Sequence, residues 1–313
     1  MSQRNIYPIY SLIYIAGAER SGSTLLDTIL GESKSCFSIG EFRQFWKSFI
    51  LKNGLCTCQK NYKDCPFWGQ ILKELFGNTG NIKNIAMYYY KLQKIVERIP
   101  LVNLKKQKEY LFKYHKEISE FGSFLKEIYN KVIKFSSAKI IIDSSKVPYW
   151  LIVLKNFIPN LMVIHLVRDP RAVTYSWTKR KFDYSINNYI KTHHPFTTAR
   201  NWLKYNIALE KIKSELQYYY FLRYEDFVNH PNKYLREIEK SFNLEKNIFP
   251  EIRNYQLLVK KDRHQVGGNP DRFKMKNIQI KGDFTWKKQL PLKYKIFITM
   301  LTFPFLKRYK YLF

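Results

Sequence analysis

Residues 11–26 read "SLIYIAGAERSGSTLL". A continuous apolar run ending in glycine is the signature of a strand buried on both faces, and "STLLDTIL" after it has helical spacing. Strand, glycine-bearing turn and helix together open a βαβ unit, which commits the chain to a parallel sheet covered by helices. The turn almost spells the phosphate loop G-x-x-x-x-G-K-[ST], from Gly17 through Gly22, but Ser23 stands where the lysine belongs. A basic residue sits three positions earlier, at Arg20. Nucleotide triphosphatases need the late lysine to reach the β- and γ-phosphates, so ATP hydrolysis and phosphoryl transfer are disfavoured.

The same rhythm returns further on. "AKIIIDSS" (138–145) reads as a strand, and "VPYWLIVLKNF" as a helix with Pro148 in its first turn. "LMVIHLVR" (161–168) is another buried strand, followed by a helix to about residue 179. "YYYFLRYEDF" (218–227) reads as a further strand, with Asp226 as the cap of the next element. Residues 66–135 carry helical periodicity and read as a helical insertion. The expectation is a three-layer α/β fold of the phosphate-loop type, with residues 1–313 as one domain. No run of 18 apolar residues occurs, so no membrane span is expected, and "IFITMLTFPFL" reads as a packed terminal helix. A leader cleaved from the apolar N-terminus would cut beside the glycine loop, so a cytoplasmic protein is expected.

In open α/β sheets ligands collect at the carboxyl ends of strands. The polar candidates share that address: Arg20, Ser21, Gly22, Ser23 and Thr24; Asp143 to Lys146; Arg168 to Ser176; and Tyr224. Loop N–H groups at a helix N-terminus attract an anion, and the hydroxyls of Ser21, Ser23 and Thr24 add donors. Arg168 at a strand end and Ser176 two turns into the next helix can converge on one phosphate.

Together, "ERSGSTLL" and the Arg168–Ser176 pair resemble the sulfotransferases that use 3′-phosphoadenosine 5′-phosphosulfate (PAPS). "IIDSSKVPYWL", "FLRYEDFVNHP", "HQVGGNPDRFK" (264–274) and "CTCQKNYKDCPFW" resemble segments of bacterial and Golgi-type members, so the likeness spans about residues 11–290. It implies transfer of a sulfuryl group from PAPS to a hydroxyl or amine by in-line displacement, leaving adenosine 3′,5′-bisphosphate, with no metal required. It implies that Arg20 and the loop hold the 5′-phosphosulfate, while Arg168, Ser176 and Arg272 hold the 3′-phosphate. Gly268 and Asn269, in the late loop, would close over the nucleotide. Glu41, in "SIGEF", resembles the family's glutamate base, and Lys146 a lysine beside the transferring group. The "KTHHPF" string keeps His193 and His194 open as alternative bases. The acceptor is a small molecule, saccharide, lipid or peptide, shaped by residues 66–135 and 180–200.

With 54 Lys+Arg against 25 Asp+Glu, the formal net charge is +29, which suits an anionic substrate or peripheral contact with an anionic membrane. The lysines are scattered, and no nucleic-acid motif with stacking aromatics occurs, so no specific nucleic-acid partner is expected. Nothing in the sequence speaks to oligomeric state. Of the four cysteines, Cys36 reads as core. Cys56, Cys58 and Cys65 are too few for a disulfide scaffold, and C-x-C with one further cysteine is not a standard zinc spacing. A local structural role is expected for these three, as a weak metal clip or simple packing, with no part in catalysis.

Overall fold

A computed structural model describes residues 11–77, 80–259, 263–273 and 276–312. The first ten residues, included above in the apolar N-terminus, lie outside them. The chain opens with β1 (Ser11–Gly17), α1 (Ser23–Gly31) and β2 (Cys36–Gly40). A short 3₁₀ turn (Phe42–Gln44) leads into a π-helical segment (Phe45–Leu51), whose Phe45, Trp46, Phe49 and Ile50 are buried. Four helices follow: α2 (Pro66–Phe76), α3 (Ile82–Val96), α4 (Leu104–Lys113) and α5 (His115–Ser136). They fill the connection from β2 to β3 (Ile140–Lys146), where the sequence suggested a helical insertion.

Next come α6 (Pro148–Phe157), β4 (Leu161–Val167) and α7 (Pro170–Thr178). Three of these helices, α2, α6 and α7, carry proline in the first turn, where its missing N–H costs nothing. A hairpin of β5 (Lys181–Asp183) and β6 (Asn188–Ile190) precedes α8 (Pro195–Ile212) and β7 (Tyr218–Arg223). The helices α9 (Tyr224–Asn229) and α10 (Pro231–Ser241) lead to a second hairpin, β8 (Gln256–Leu258) with β9 (Asn277–Gln279). The short α11 (Trp286–Gln289) and α12 (Leu292–Arg308) close the chain.

The central sheet has five strands in the order β2-β3-β1-β4-β7, every pair parallel. Parallel strands buried on both faces need apolar residues at every position, and Leu12 to Ala16 are all fully buried. Alternate residues feed two cores. Leu12 and Tyr14 face the larger core shared with the α2–α5 helices, whereas Ile13 and Ile15 face that of α1, α9 and α10.

Two details depart from expectation. The β7 strand stops at Arg223, so Tyr224 opens a helix and Asp226 lies in its first turn rather than capping it. The C-terminal helix is packed on one side only: Ile298, Thr302 and Leu306 are buried, while Leu292, Ile296, Met300 and Phe303 are exposed.

Candidate active site

The loop leaving β1 turns into α1 at Gly22, which sits at φ +92. A Cβ there would lie 2.3 Å from the Tyr224 ring, so both conformation and contact demand glycine. Two long cations nearby also adopt left-handed backbone, Arg20 at φ +67 and Lys146 at φ +72. For residues other than glycine that conformation costs about 1–3 kcal/mol, and such strain clusters at functional sites.

These residues border a cleft of about 670 Å³ at the carboxyl ends of β1, β2, β3 and β4. Of the residues expected from sequence, Arg20, Gly22, Ser23, Thr24, Glu41, Lys146, Arg168, Ser176, Tyr224, Gly268, Asn269 and Arg272 all line it. Ser21 does not line the cleft. It is buried, and its Oγ has no hydrogen-bond partner among the described residues.

Glu41 follows β2 directly and forms a buried ion pair with Lys146, the last residue of β3. Burial resists ionisation of Glu41, but Lys146, Arg43 and Arg272 outweigh it and hold the carboxyl below its ordinary value. Gly268 lies against the same carboxylate, since a Cβ there would come within 3.2 Å of Oε1. Arg43 is fixed by Glu19 at 2.7 Å and Glu97 at 3.4 Å, and its backbone N–H donates to Ser145 Oγ.

Arg168 lies against the loop that joins β1 to α1. Its Nη1 donates to the Arg20 carbonyl at 3.3 Å, its Nη2 donates to the Asp283 carbonyl at 2.8 Å, and its guanidinium stacks 4.6 Å from the Tyr224 ring centre. Arg20 stacks in turn on Trp177 at 4.8 Å. Arg272 is buried, donates to the Gly268 carbonyl at 3.0 Å and packs on Phe273. Gly268 in turn lies against the Glu41 carboxylate, which puts Arg272 in the Glu41–Lys146 neighbourhood. Among the described residues, the Nε atoms of Arg168 and Arg272 have no hydrogen-bond partner. Buried donors left open in this way suit an anion.

Asp143, one of the polar candidates at strand ends, is not on the cleft. It is buried and accepts from Tyr129 Oη at 2.7 Å and from the Ser145 N–H at 2.8 Å. Burial pushes its carboxyl up to about 6. His194 accepts the Phe196 N–H at the start of α8, while His193 packs edge-on to Trp177, outside the main cleft.

The far walls come from two segments. Gln44, Lys47, Ser48, Lys52 and Leu55 form one, and Lys181 to Lys191 the other. They are clasped where the Leu55 N–H donates to the Ser185 carbonyl, and Lys181 pairs with Asp271 of the late loop at 2.8 Å. No residue of α2–α5 lines the cleft, contrary to the expectation that this region shapes the acceptor site. Those helices are engaged in the large core instead.

A family model described as "Sulfotransferase family" matches residues 12–248. The chain belongs to the sulfotransferase family. Among solved structures, the sulfotransferase domain from the curacin biosynthetic pathway is similar, with a TM-score of 0.55 at 18% identity over 95% of this chain and 97% of that one. The sulfotransferase domain of the Synechococcus PCC 7002 olefin synthase gives 0.50 at 16% identity, over 96% and 97%. At such identity the likeness speaks for the fold. No curated protein matches. Sequence reasoning missed several residues of this sulfotransferase's site. Trp177 lies beside the noted Ser176, and a cationic neighbour was its available signal. Arg43 carried none, because its partners are far away in sequence.

Proposed function

We propose that this sulfotransferase moves the sulfuryl group of PAPS to a hydroxyl or amine acceptor. The observation that carries the reading is two distinct cation groups in one cleft. Arg168 lies against the phosphate loop and Tyr224, while Lys146 and Arg272 gather at Glu41. A nucleoside bearing anionic groups at two positions answers to such a pair, and PAPS brings the sulfuryl group and leaves as adenosine 3′,5′-bisphosphate. The loop N–H groups, Ser23, Thr24 and Arg20 would hold the 5′ side, and Arg168 with Ser176 the 3′-phosphate. Arg272, expected with Arg168, is read here as a cation of the transfer end, because it holds the carbonyl of Gly268, which lies against Glu41.

Glu41 is the residue placed to take the acceptor's proton. Its pairing with Lys146 keeps it ionised, and drawing Lys146 towards the donor's anion would raise its basicity at the moment of need. Arg20 and Lys146 then face the charge that develops on the departing bisphosphate. None of these steps asks for a metal. The acceptor would rest between the walls at residues 44–55 and 181–191, where lysines favour an anionic or polar molecule. A saccharide, lipid, peptide or other small molecule remains within that class.

Calorimetry tests the reading. Adenosine 3′,5′-bisphosphate should bind well above AMP and ATP, and Arg168→Ala should remove about 1.5–3 kcal/mol of that preference, the worth of a charged hydrogen bond. Equal affinity for AMP and the bisphosphate would overturn it. Labelled PAPS offered to saccharides, lipids and tyrosine peptides would then find the acceptor.

Two further parts of the reading concern setting. The four cysteines are unbridged, which supports a reducing, cytoplasmic compartment. The exposed face of α12, with Leu292, Ile296, Met300 and Phe303 beside Lys287, Lys288, Lys293 and Lys307, supports peripheral contact with an anionic membrane. No helix among the described residues is long and apolar enough to cross one.

A further inference from the structure

The three clustered cysteines acquire a fourth companion from far along the chain. The Sγ atoms of Cys56, Cys58 and Cys65 and a ring nitrogen of His264 all lie within 4.8 Å of one another. Cys58 Sγ is 3.6 Å from Cys65 Sγ, and His264 Nδ1 is 3.3 Å from Cys65 Sγ and 3.7 Å from Cys56 Sγ. A sulfur pair at 3.6 Å is no disulfide, which needs about 2.05 Å. Tetrahedral zinc with Zn–S of about 2.3 Å and Zn–N of about 2.0–2.1 Å sets its ligands about 3.5–3.8 Å apart. Three of the separations, 3.3, 3.6 and 3.7 Å, fall close to those edges, and the rest lie within 4.8 Å. Three thiolates and one imidazole are also the donor set that soft, tetrahedral coordination selects.

The surroundings hold these donors in place. Cys65 caps α2, and its sulfur accepts the Trp68 N–H at 3.5 Å, which fixes where it points. The His264 carbonyl accepts the Trp68 indole N–H at 2.7 Å, and the imidazole stacks on Phe67 with 5.3 Å between ring centres. Cys56 and Cys65 are buried, and Cys58 and His264 half-buried. Simple packing does not call for four ligand atoms turned to one point.

We infer that Cys56, Cys58, Cys65 and His264 form a structural zinc site that staples the 55–65 loop to the late loop at 263–273. The spacing within 56–65 is incomplete because the fourth ligand arrives about 200 residues later. The staple reinforces a seam already present: Thr57 Oγ1 donates to the Arg263 carbonyl at 2.5 Å, and the Gln265 N–H donates to Thr57 Oγ1 at 2.9 Å. Beyond that seam the loop carries Gly268 and Arg272 to the cleft. Four protein ligands leave no open position, so the ion holds structure and takes no part in chemistry.

Elemental analysis of the full chain, purified under reducing conditions and dialysed without chelator, should find about one zinc per chain. His264→Ala should lower zinc content about tenfold or more, whereas His264→Cys, which restores four ligands, should keep it; Cys36→Ser should change nothing. Cobalt(II) exchanged into the parent chain should show tetrahedral d–d bands and thiolate-to-cobalt charge transfer, a readout that stands even where a variant fails to fold. Zinc retained equally by His264→Ala would overturn the site. So would an octahedral, thiolate-free cobalt spectrum, or a folded, metal-replete chain with a Cys58–Cys65 disulfide.

Discussion

Glu41 and Lys146 neutralise each other at the floor of the cleft, and each limits what the other can do. If Glu41 is the base, Glu41→Gln should cut turnover about 10²–10⁴-fold and leave bisphosphate affinity near that of the parent. Lys146→Ala makes a sharper test, with the best acceptor found in the screen. Removing the cation leaves burial unopposed by its main partner, so the Glu41 carboxyl should rise and the acid limb of kcat/KM should move to higher pH. An unmoved acid limb would show that Glu41 does not carry the proton. Much of the lining of this cleft was legible, because its residues sit close together in sequence at strand ends and in one glycine turn. Gly17, Arg20 and Gly22 must share one turn, and Arg168 and Ser176 must bracket one strand–helix junction. The Glu41–Lys146 pair was visible as two candidates but not as a pair, since the partners stand on separate strands. His264 was likewise invisible as a companion of the cysteines.

The helix that follows the glycine turn is tied to the sheet through one buried acid. Asp27 of α1 accepts from Ser38 of β2 at 2.5 Å, from Ser144 of β3 at 2.9 Å and from Gln265 of the late loop at 3.4 Å. Burial pushes its carboxyl up to about 7 from 3.8, and the serine hydroxyls only partly offset this. The folded chain therefore keeps a proton that the unfolded chain releases above about pH 4. This contribution to stability is full below that pH and falls as pH rises through about 7; Asp143 adds a slope of the same sign. Asp27→Asn should flatten the urea midpoint between pH 4 and 7, removing about 2–4 kcal/mol of pH-dependent change. An unchanged slope would place the titration elsewhere. The strands themselves were readable because burial on both faces writes continuous apolar runs. Tyr224 was misplaced because "YYYFLRYEDF" carries no break where the backbone turns helical. The π-helical segment and the β5–β6 hairpin, which wall the cleft, have no comparable signature.

Across the whole molecule, peripheral membrane contact would draw on both the basic excess and the apolar side of α12. Flotation with phosphatidylserine-containing vesicles should capture the protein, pure phosphatidylcholine should not, and high salt should release it. Ile296→Asp combined with Met300→Asp should weaken capture about tenfold or more, since each side chain contributes about 1.5–3 kcal/mol when buried. Equal capture by the variant would limit the face to solvent. The sheet order has a consequence in time. Every neighbour in the central sheet is parallel, so none is joined by a hairpin, and β1 takes its places beside β3 and β4. About 120 residues separate the end of β1 from the start of β3. At about 5–20 residues per second, the ribosome needs on the order of ten seconds to make them. Through that interval the strand that leads into the glycine turn is apolar, complete and without its β3 neighbour, and therefore a natural client for a chaperone.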